Sequence, residues 1–460
     1  MRWQGKRVLV VGLGASGKAA SRFAAVRGAQ VTATDRRPLS ELSEAAEEMG
    51  KLNVRLELGG HSQKLFLEQD LIVPSPGVPW NLPELDAARR TGVVVAGELE
   101  IASSALKGPV IGVTGTNGKT TTTSLIGHII ETAGLPVTTG GNLGTPVLEM
   151  VDASSDEHWN VLELSSFQLE ATATFPVHIA VVLNVTPDHL DRHGTLEAYA
   201  KAKGKIFQAQ TATDHAVLHF DDPVCRTFAL QTAGAVNWFS RTGRNEPGAW
   251  VENGYVLLNG QPVTALPLLI PGHHNLENAL AAVTASSLAG IGLEAMAKGL
   301  QTFRTAEHRL ECVAKISGVA YYNDSKATNV DAAIKAVETF DRGLWVILGG
   351  SEKGFSYSAL RRPLRDRARG VLLIGESAPR IERELNGAVP LIHAGTLLDA
   401  MQYAHRHAES GDTVLLSPAC ASFDQFKNYG ERGWRFKEIV RELREKAEAR
   451  LSGDSTEGHA

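Results

Sequence analysis

The sequence predicts an α/β protein of three domains, each built on a largely parallel sheet with helices on both faces. Three observations carry that expectation. Short apolar, β-branched runs recur along the chain, several of them ending in glycine-rich turns. Helix-length amphipathic segments separate these runs, the alternation that builds parallel sheets. And 460 residues, 43% of them hydrophobic, exceed what one core ordinarily holds.

The first domain is expected over residues 1–97. A buried strand at 8–12 (VLVVG) runs into a glycine turn, then a helix over 18–27 that stops before Gly28, then a strand at 31–35 (VTATD). Further strand-like runs stand at 71–77 (LIVPSPG) and 93–98 (VVVAGE). The second domain, 98–304, opens with the strand PVIGVTG at 109–115 and a helix over 120–133, ended by Gly134 and Pro136. Strands follow at 160–164 and 178–185. The stretch 232–263, rich in Gly and Asn, predicts antiparallel strands, and an Ala-rich helix over 276–289 closes the domain. The third domain, 305–451, carries strands at 320–324, 344–350, 371–375 and 413–418. The tail 452–460 (SGDSTEGHA after Leu451) lacks apolar residues and is expected to be disordered.

The bulk composition excludes several classes. A formal charge of −5 supplies no basic field for a nucleic-acid backbone. Cys225, Cys312 and Cys420 are far apart, with no metal-ligand spacing, which favours a reducing compartment. No run is long and apolar enough to span a membrane, and Met1 leads almost directly into the first strand. A cytoplasmic monomer, with neither nucleic-acid nor membrane partner, is the expectation.

Two glycine turns carry phosphate chemistry. Gly115, Thr116, Asn117, Gly118, Lys119, Thr120 and Thr121 (GTNGKTT) sit between a buried strand and an amphipathic helix. In that context glycines turn backbone N–H groups onto phosphate oxygens at a helix N-terminus, the P-loop arrangement. Lys119 would reach the β- and γ-phosphates of ATP, and Thr120 would place its hydroxyl on Mg²⁺. The general pattern has glycine where this chain has Val113, with glycine at 112 instead. The earlier turn, GLGASG at 12–17, with Asp35 ending the next strand, is the Rossmann-like form. It suits NAD or any other nucleotide, and Arg36 and Arg37 add charge for phosphate.

Downstream, Glu163 ends a buried strand in ELSSFQLE, where Mg²⁺ would be held near a P-loop. His189 lies in NVTPDHLDRHG, crowded with Asp188, Asp191 and His193. The lysines of AKAKGKIF (200–207) have the composition of a solvated helical face. In the third domain NDSKATN (323–329), LGGSEKG (348–354) and SPACASFDQFKNYGERG (417–433) all leave strand C-termini, the usual location for ligand contacts in open α/β sheets.

Taken together these motifs, with GGNLG, GHHNLENALAA and EHR, resemble those of the Mur ligases of bacterial cell-wall synthesis over essentially the whole chain. GTNGK followed by Thr or Ser is that family's own form of the loop, which accounts for Val113. ELSSFQLE, NDSKATN and SPACASFDQFKN look like the D-glutamate-adding branch.

The resemblance implies an ATP- and Mg²⁺-dependent amide ligase acting on UDP-N-acetylmuramoyl-L-alanine and D-glutamate. It implies a UDP-substrate site of Ser16, Asp35, Arg36, Arg37, Ser75, Gly77 and Asn142, and ATP contacts from Asn275, Asn278, Arg309 and Asp324 beside the loop. Lys119, Glu163, His189 and Lys203 would be catalytic, with Thr120, Glu163, His189 and a carbamylated Lys203 facing Mg²⁺. Lys326, Thr328, Lys353, Ser422, Phe423 and Tyr429 would surround D-glutamate, Tyr429 standing where the family pattern has Phe. The alternatives are another Mur-type or folylpolyglutamate-type ligase, and a nicotinamide oxidoreductase, which fits only the first ninety or so residues.

Overall fold

The computed structural model describes residues 2–453 except Leu143, Pro271, Thr305, Ala306, Lys353 and Phe355. The expected site residue Lys353, the expected boundary at Thr305 and residues 454–460 of the expected tail therefore lie outside the described residues. The chain forms two compact units, Met1–Leu269 with Glu277–Phe303, and Ile270–Leu276 with Arg304–Ala460.

Two sheets make up the first unit. β1 (Arg7–Val11), β2 (Gln30–Asp35), β3 (Arg55–Leu58), β4 (Leu71–Pro74) and β5 (Val94–Val95) are parallel, in the order β3-β2-β1-β4-β5. The order reverses between β1 and β4, which opens a crevice at their carboxyl ends. The helix after β1 is Ala15–Val26, starting three residues before the expected Lys18. The glycine turn is thus already half helical, and Gly17 packs in its first turn against the turn's own entry.

The second sheet holds β6 (Val110–Thr114), β7 (Val137–Gly141), β8 (Trp159–Glu163), β9 (Ile179–Val182), β10 (His215–His219), β11 (Ala235–Ser240), β12 (Gly248–Glu252), β13 (Tyr255–Leu258) and β14 (Gln261–Ala265). Its order is β14-β13-β12-β11-β10-β9-β6-β8-β7. The antiparallel expectation for 232–263 holds only for β12, β13 and β14. Each of those hairpins closes on an Asn-Gly pair with both residues at positive φ, Asn253 and Gly254 (51° and 77°), then Asn259 and Gly260 (47° and 80°). β11 is joined to β12 by residues 241–247 rather than a two-residue turn, and it aligns parallel to both β10 and β12.

The second unit carries β15 (Glu311–Ile316), β16 (Val319–Asn323), β17 (Leu344–Gly349), β18 (Ala368–Ile374), β19 (Leu391–Gly395) and β20 (Thr413–Leu416), ordered β15-β16-β20-β17-β18-β19. All pairs are parallel except β15 with β16. In β4, β6, β9, β17 and β20 every residue is buried, the signature of strands covered on both faces. Helix Tyr429–Gly453 closes the unit and runs past the expected end at Leu451.

A Cβ on Gly17 would stand 1.8 Å from the Gly12 carbonyl oxygen and 2.7 Å from Ser75 Oγ. The Gly12 backbone cannot retreat without breaking the β1–β4 crevice, and the Ser75 hydroxyl is tied to that same carbonyl. Gly17→Ala is therefore expected to lower stability by about 3 kcal/mol, the upper end for overpacking, measured as an earlier first transition in denaturant.

Candidate active site

The crevice between β1 and β4 is a cavity of about 440 Å³ whose lining includes Ser16, Asp35, Arg36, Arg37, Ser75, Gly77 and Asn142. Asp35 anchors it. Its Oδ2 accepts from Leu13 N–H and Arg37 Nη2, both at 2.8 Å, while Oδ1 accepts from the Arg37 N–H at 3.0 Å and Nε at 3.1 Å. The Arg37 side chain holds this carboxyl well below the usual carboxylate range. Ser75 Oγ donates to the Gly12 carbonyl at 2.9 Å, tying the loops after β1 and β4 together. His61 and Gln168, which also line the cavity, were not among the expected residues.

The phosphate loop leaves β6 with Gly115 at φ 149° and Gly118 at φ 88°, both in the region that favours glycine. Lys119 starts the helix Lys119–Thr132, and its Nζ donates to the Gly115 and Thr116 carbonyls at 3.0 and 2.8 Å. Thr120 Oγ1 donates to Glu163 Oε2 at 2.5 Å, and Asn142 Nδ2 to Glu163 Oε1 at 3.0 Å. Buried Asn278 lies against the loop, since a Cβ on Gly118 would come within 2.2 Å of its Oδ1.

Lys203 is not on a solvated face. It is 1% exposed, and its Nζ donates to the same Gly115 carbonyl at 2.8 Å. Burial first, and Lys119 second, push its ammonium well below the ordinary lysine value. Lys201 is exposed, and Lys205 donates to the Glu170 carbonyl at 2.6 Å.

His189 has a left-handed backbone, φ 52°, and caps the short turn Leu190–His193. Its ring meets the edge of Phe167 at 4.9 Å between centroids, and its Nε2 lies 3.6 Å from Asp188 Oδ2. Phe167, four residues beyond Glu163, is thus the link between the strand-end acid and this histidine.

Thr120 and Glu163 present oxygen donors suited to a hard cation. Among the described residues no three His, Cys, Asp or Glu side chains come together as a metal cage.

In the second unit two strand exits, those after β16 and β20, are sewn together by Arg432, which is 1% exposed. It donates to Ser325 Oγ at 3.0 Å and to the carbonyls of Ser325 at 2.8 Å, Ala421 at 3.1 Å and Cys420 at 3.2 Å. Burial lowers its guanidinium to about 10. Asp324 accepts from Ser417 Oγ at 3.0 Å and Leu310 N–H at 3.2 Å, and burial pushes its carboxyl up to about 7. Coulombic attraction from Arg309 opposes that rise.

Lys326 Nζ stands 5.2 Å from the Tyr429 ring centroid, and the Thr328 N–H donates to the Lys326 carbonyl at 2.9 Å. Ser422 is buried beside Phe423, whose ring is 73% exposed. Asn275 is buried and belongs to this unit.

Comparison with known proteins fits this geometry. Residues 6–97 match the Mur ligase MurD-like N-terminal domain, 113–286 the Mur ligase middle domain, and 308–420 the Mur ligase glutamate ligase domain. A UDP-N-acetylmuramoylalanine–D-glutamate ligase of Solibacter usitatus is 53% identical over 97% of this chain and 100% of its own length. One from Acidobacterium capsulatum is 49% identical over 96% and 97%. The chain belongs to the Mur ligase family.

Solved Mur ligases share the fold at low identity. UDP-N-acetylmuramate-alanine ligase MurC of Thermotoga maritima matches with a TM-score of 0.62 at 20% identity, covering 95% of this chain and 100% of that one. MurF ligase of Thermotoga maritima, solved with ADP, matches at 0.61 and 19%, covering 96% of each. As a Mur ligase the chain is an ATP-dependent ligase, which removes the nicotinamide reading of its first turn.

Asn184 is one residue that sequence reasoning passed over. Its Oδ1 accepts from the Asn117 N–H at 2.9 Å, its Nδ2 donates to the Asn117 carbonyl at 3.1 Å, and its carbonyl accepts from the Thr116 N–H at 2.9 Å. It splints the Mur ligase loop from the neighbouring strand end. Asn184→Ala should weaken ATP binding about ten-fold in calorimetric titration, the scale of losing its side chain's bonds to part-buried loop groups, with a lowered melting temperature.

Proposed function

We propose that this chain joins D-glutamate to UDP-N-acetylmuramoyl-L-alanine, spending ATP, in peptidoglycan precursor synthesis. The observation that carries the reading is the match, at 53% identity and nearly full length, to a relative named for that reaction, together with the MurD-like first domain. The domain limits we assign are 1–97 for the UDP-substrate, 98–304 for ATP and 305–451 for the amino acid. Among the described residues no helix is long and apolar enough to cross a membrane. A cytoplasmic location and a monomeric state are part of the same proposal.

A carboxylate has no leaving group, so the alanyl carboxylate takes the γ-phosphoryl of ATP and becomes an acyl phosphate. The amine of D-glutamate attacks the acyl carbon, and the tetrahedral intermediate collapses to amide and phosphate. Lys119 leaves its two loop carbonyls for the β- and γ-phosphates, exchanging neutral acceptors for anionic ones. Thr120, Glu163 and a carbamylated Lys203, with His189 for a second ion, would hold Mg²⁺, which would supply positive charge against the repulsion between phosphate and carboxylate.

Asn142 holds Glu163 and lines the UDP cavity, so it orients the muramoyl portion between them. Asn275, Asn278, Arg309 and Asp324 serve the nucleotide. Lys326, Thr328, Lys353, Ser422, Phe423 and Tyr429 hold D-glutamate, which supplies the proximity term.

The environment of Lys203 supports carbamylation. Burial and Lys119 favour its free amine, and a free amine adds to CO₂, releasing one proton and leaving a carbamate anion. The charge beside Lys119 then changes from opposed to matched.

Phosphate release with UDP-N-acetylmuramoyl-L-alanine is expected with D-glutamate and not with L-glutamate or diaminopimelate; equal turnover with all three would sink the assignment. Lys119→Ala should abolish turnover. Lys203→Ala should lower kcat about a hundred-fold, the scale of losing one electrostatic stabiliser, and CO₂-depleted buffer should lower wild-type activity. Undiminished turnover in Lys203→Ala would remove the carbamate from the reading.

A further inference from the structure

One wall of the UDP cavity is gripped from outside by a residue with no role in the reading above. Val78 lines the cavity, and its carbonyl accepts from Arg192 Nη2 at 3.0 Å. The same nitrogen donates to Glu170 Oε2 at 2.8 Å. Glu170 Oε1 lies 3.3 Å from His193 Nδ1, and His193 Nε2 lies 3.0 Å from Ser166 Oγ.

The guanidinium of Arg192 sits 5.0 Å from the centroid of Phe167, whose ring stacks on His193 at 5.6 Å and meets His189 at 4.9 Å. The side chains of Arg192, Glu170 and His193 are 15%, 20% and 3% exposed, so the latch is largely dry.

This latch holds a segment that cannot hold itself. Leu190–His193 is a single helical turn, too short to be stable alone. His189 caps it at φ 52°, a backbone setting that a side-chain-bearing residue keeps only when its surroundings enforce it. Arg192 is the member of that turn that reaches the cavity wall, and its N–H donates back to the His189 carbonyl at 3.1 Å.

We propose that Arg192 is a positioning residue that couples occupancy of the nucleotide cavity to the setting of His189. A ligand that fixes residues 75–78 fixes the Val78 carbonyl, and through Arg192 the turn that carries His189. Binding energy from the remote nucleotide end of the acceptor is thereby spent at the reacting end, a use that raises kcat rather than affinity alone. The inference rests on the UDP-cavity and His189 assignments made above.

Amide hydrogen exchange of residues 189–193, with and without UDP, tests it on the full chain. In wild type UDP should slow exchange in that segment. In Arg192→Gln UDP should still bind while the segment's exchange stays unchanged, and Arg192→Lys, which keeps the charge without the planar fork, should respond partly. In turnover, Arg192→Gln should lose about ten-fold in kcat, a typical coupling for neighbours in one network, with the KM values for ATP and D-glutamate unmoved. A merely structural residue would instead lower the active fraction and the melting temperature. UDP binding to both proteins with equal slowing of exchange overturns this inference alone, and absence of UDP binding to wild type takes the cavity assignment down with it.

Discussion

Two lysine nitrogens converge on one carbonyl oxygen, that of Gly115, Lys119 from 3.0 Å and Lys203 from 2.8 Å. Two ammonium charges that share one acceptor repel each other, and the repulsion is least screened where burial is deepest. Lys119 is only half-buried, whereas Lys203 has almost no solvent, and burial with the neighbouring Lys119 pushes its ammonium well below the ordinary lysine value. The two lysines are therefore unequal in setting, one at the partly open phosphate loop and one buried beneath it. The positive φ of Gly115 turns that carbonyl to meet both, so the glycine serves the lysines as much as the phosphates.

From that point the site is held outward by polar side chains, each bonded on two sides. Glu163 accepts from Thr120 with one oxygen and from Asn142 with the other. Asn184 bonds both the N–H and the carbonyl of Asn117. Such paired contacts make displacement of one group a displacement of its neighbour, which is how a loop can be stiff enough to orient phosphate and still carry little apolar burial. The strand ends supply rigidity; the side chains transmit it.

Legibility in the sequence followed the range of the physics. Strand–turn–helix units obey local rules, so β1, β6, β17 and β20 and the phosphate loop were visible from glycines and apolar runs. The antiparallel strands β12 to β14 were expected from the Gly- and Asn-richness of 232–263, while the parallel register of β11 is set by its neighbour β10 and has no local mark. Lys203 shows the limit most clearly. AKAKGKIF has the composition of a solvated face, and only the fold decides that Lys201 meets water, Lys205 a helix-end carbonyl and Lys203 the underside of Gly115. Arg432 and Arg192 were opaque for the same cause, since each acts by joining segments separated by more than a hundred residues.

The first glycine turn shows why a motif's shape underdetermines its ligand. In a dinucleotide site the acid at the end of the second strand is open to a ribose hydroxyl. Here Asp35 is saturated by Leu13 and by three donors of Arg37, so it presents an arginine to the cavity edge in place of itself. The cavity also does not end at the turn. It reaches Asn142, after β7, and Gln168, in the short helix Ser166–Glu170 after β8, and Asn142 is the residue whose amide holds Glu163. The cavity lining therefore ends one side chain away from the acid beside the phosphate loop, so the first turn and the phosphate loop are joined through Asn142.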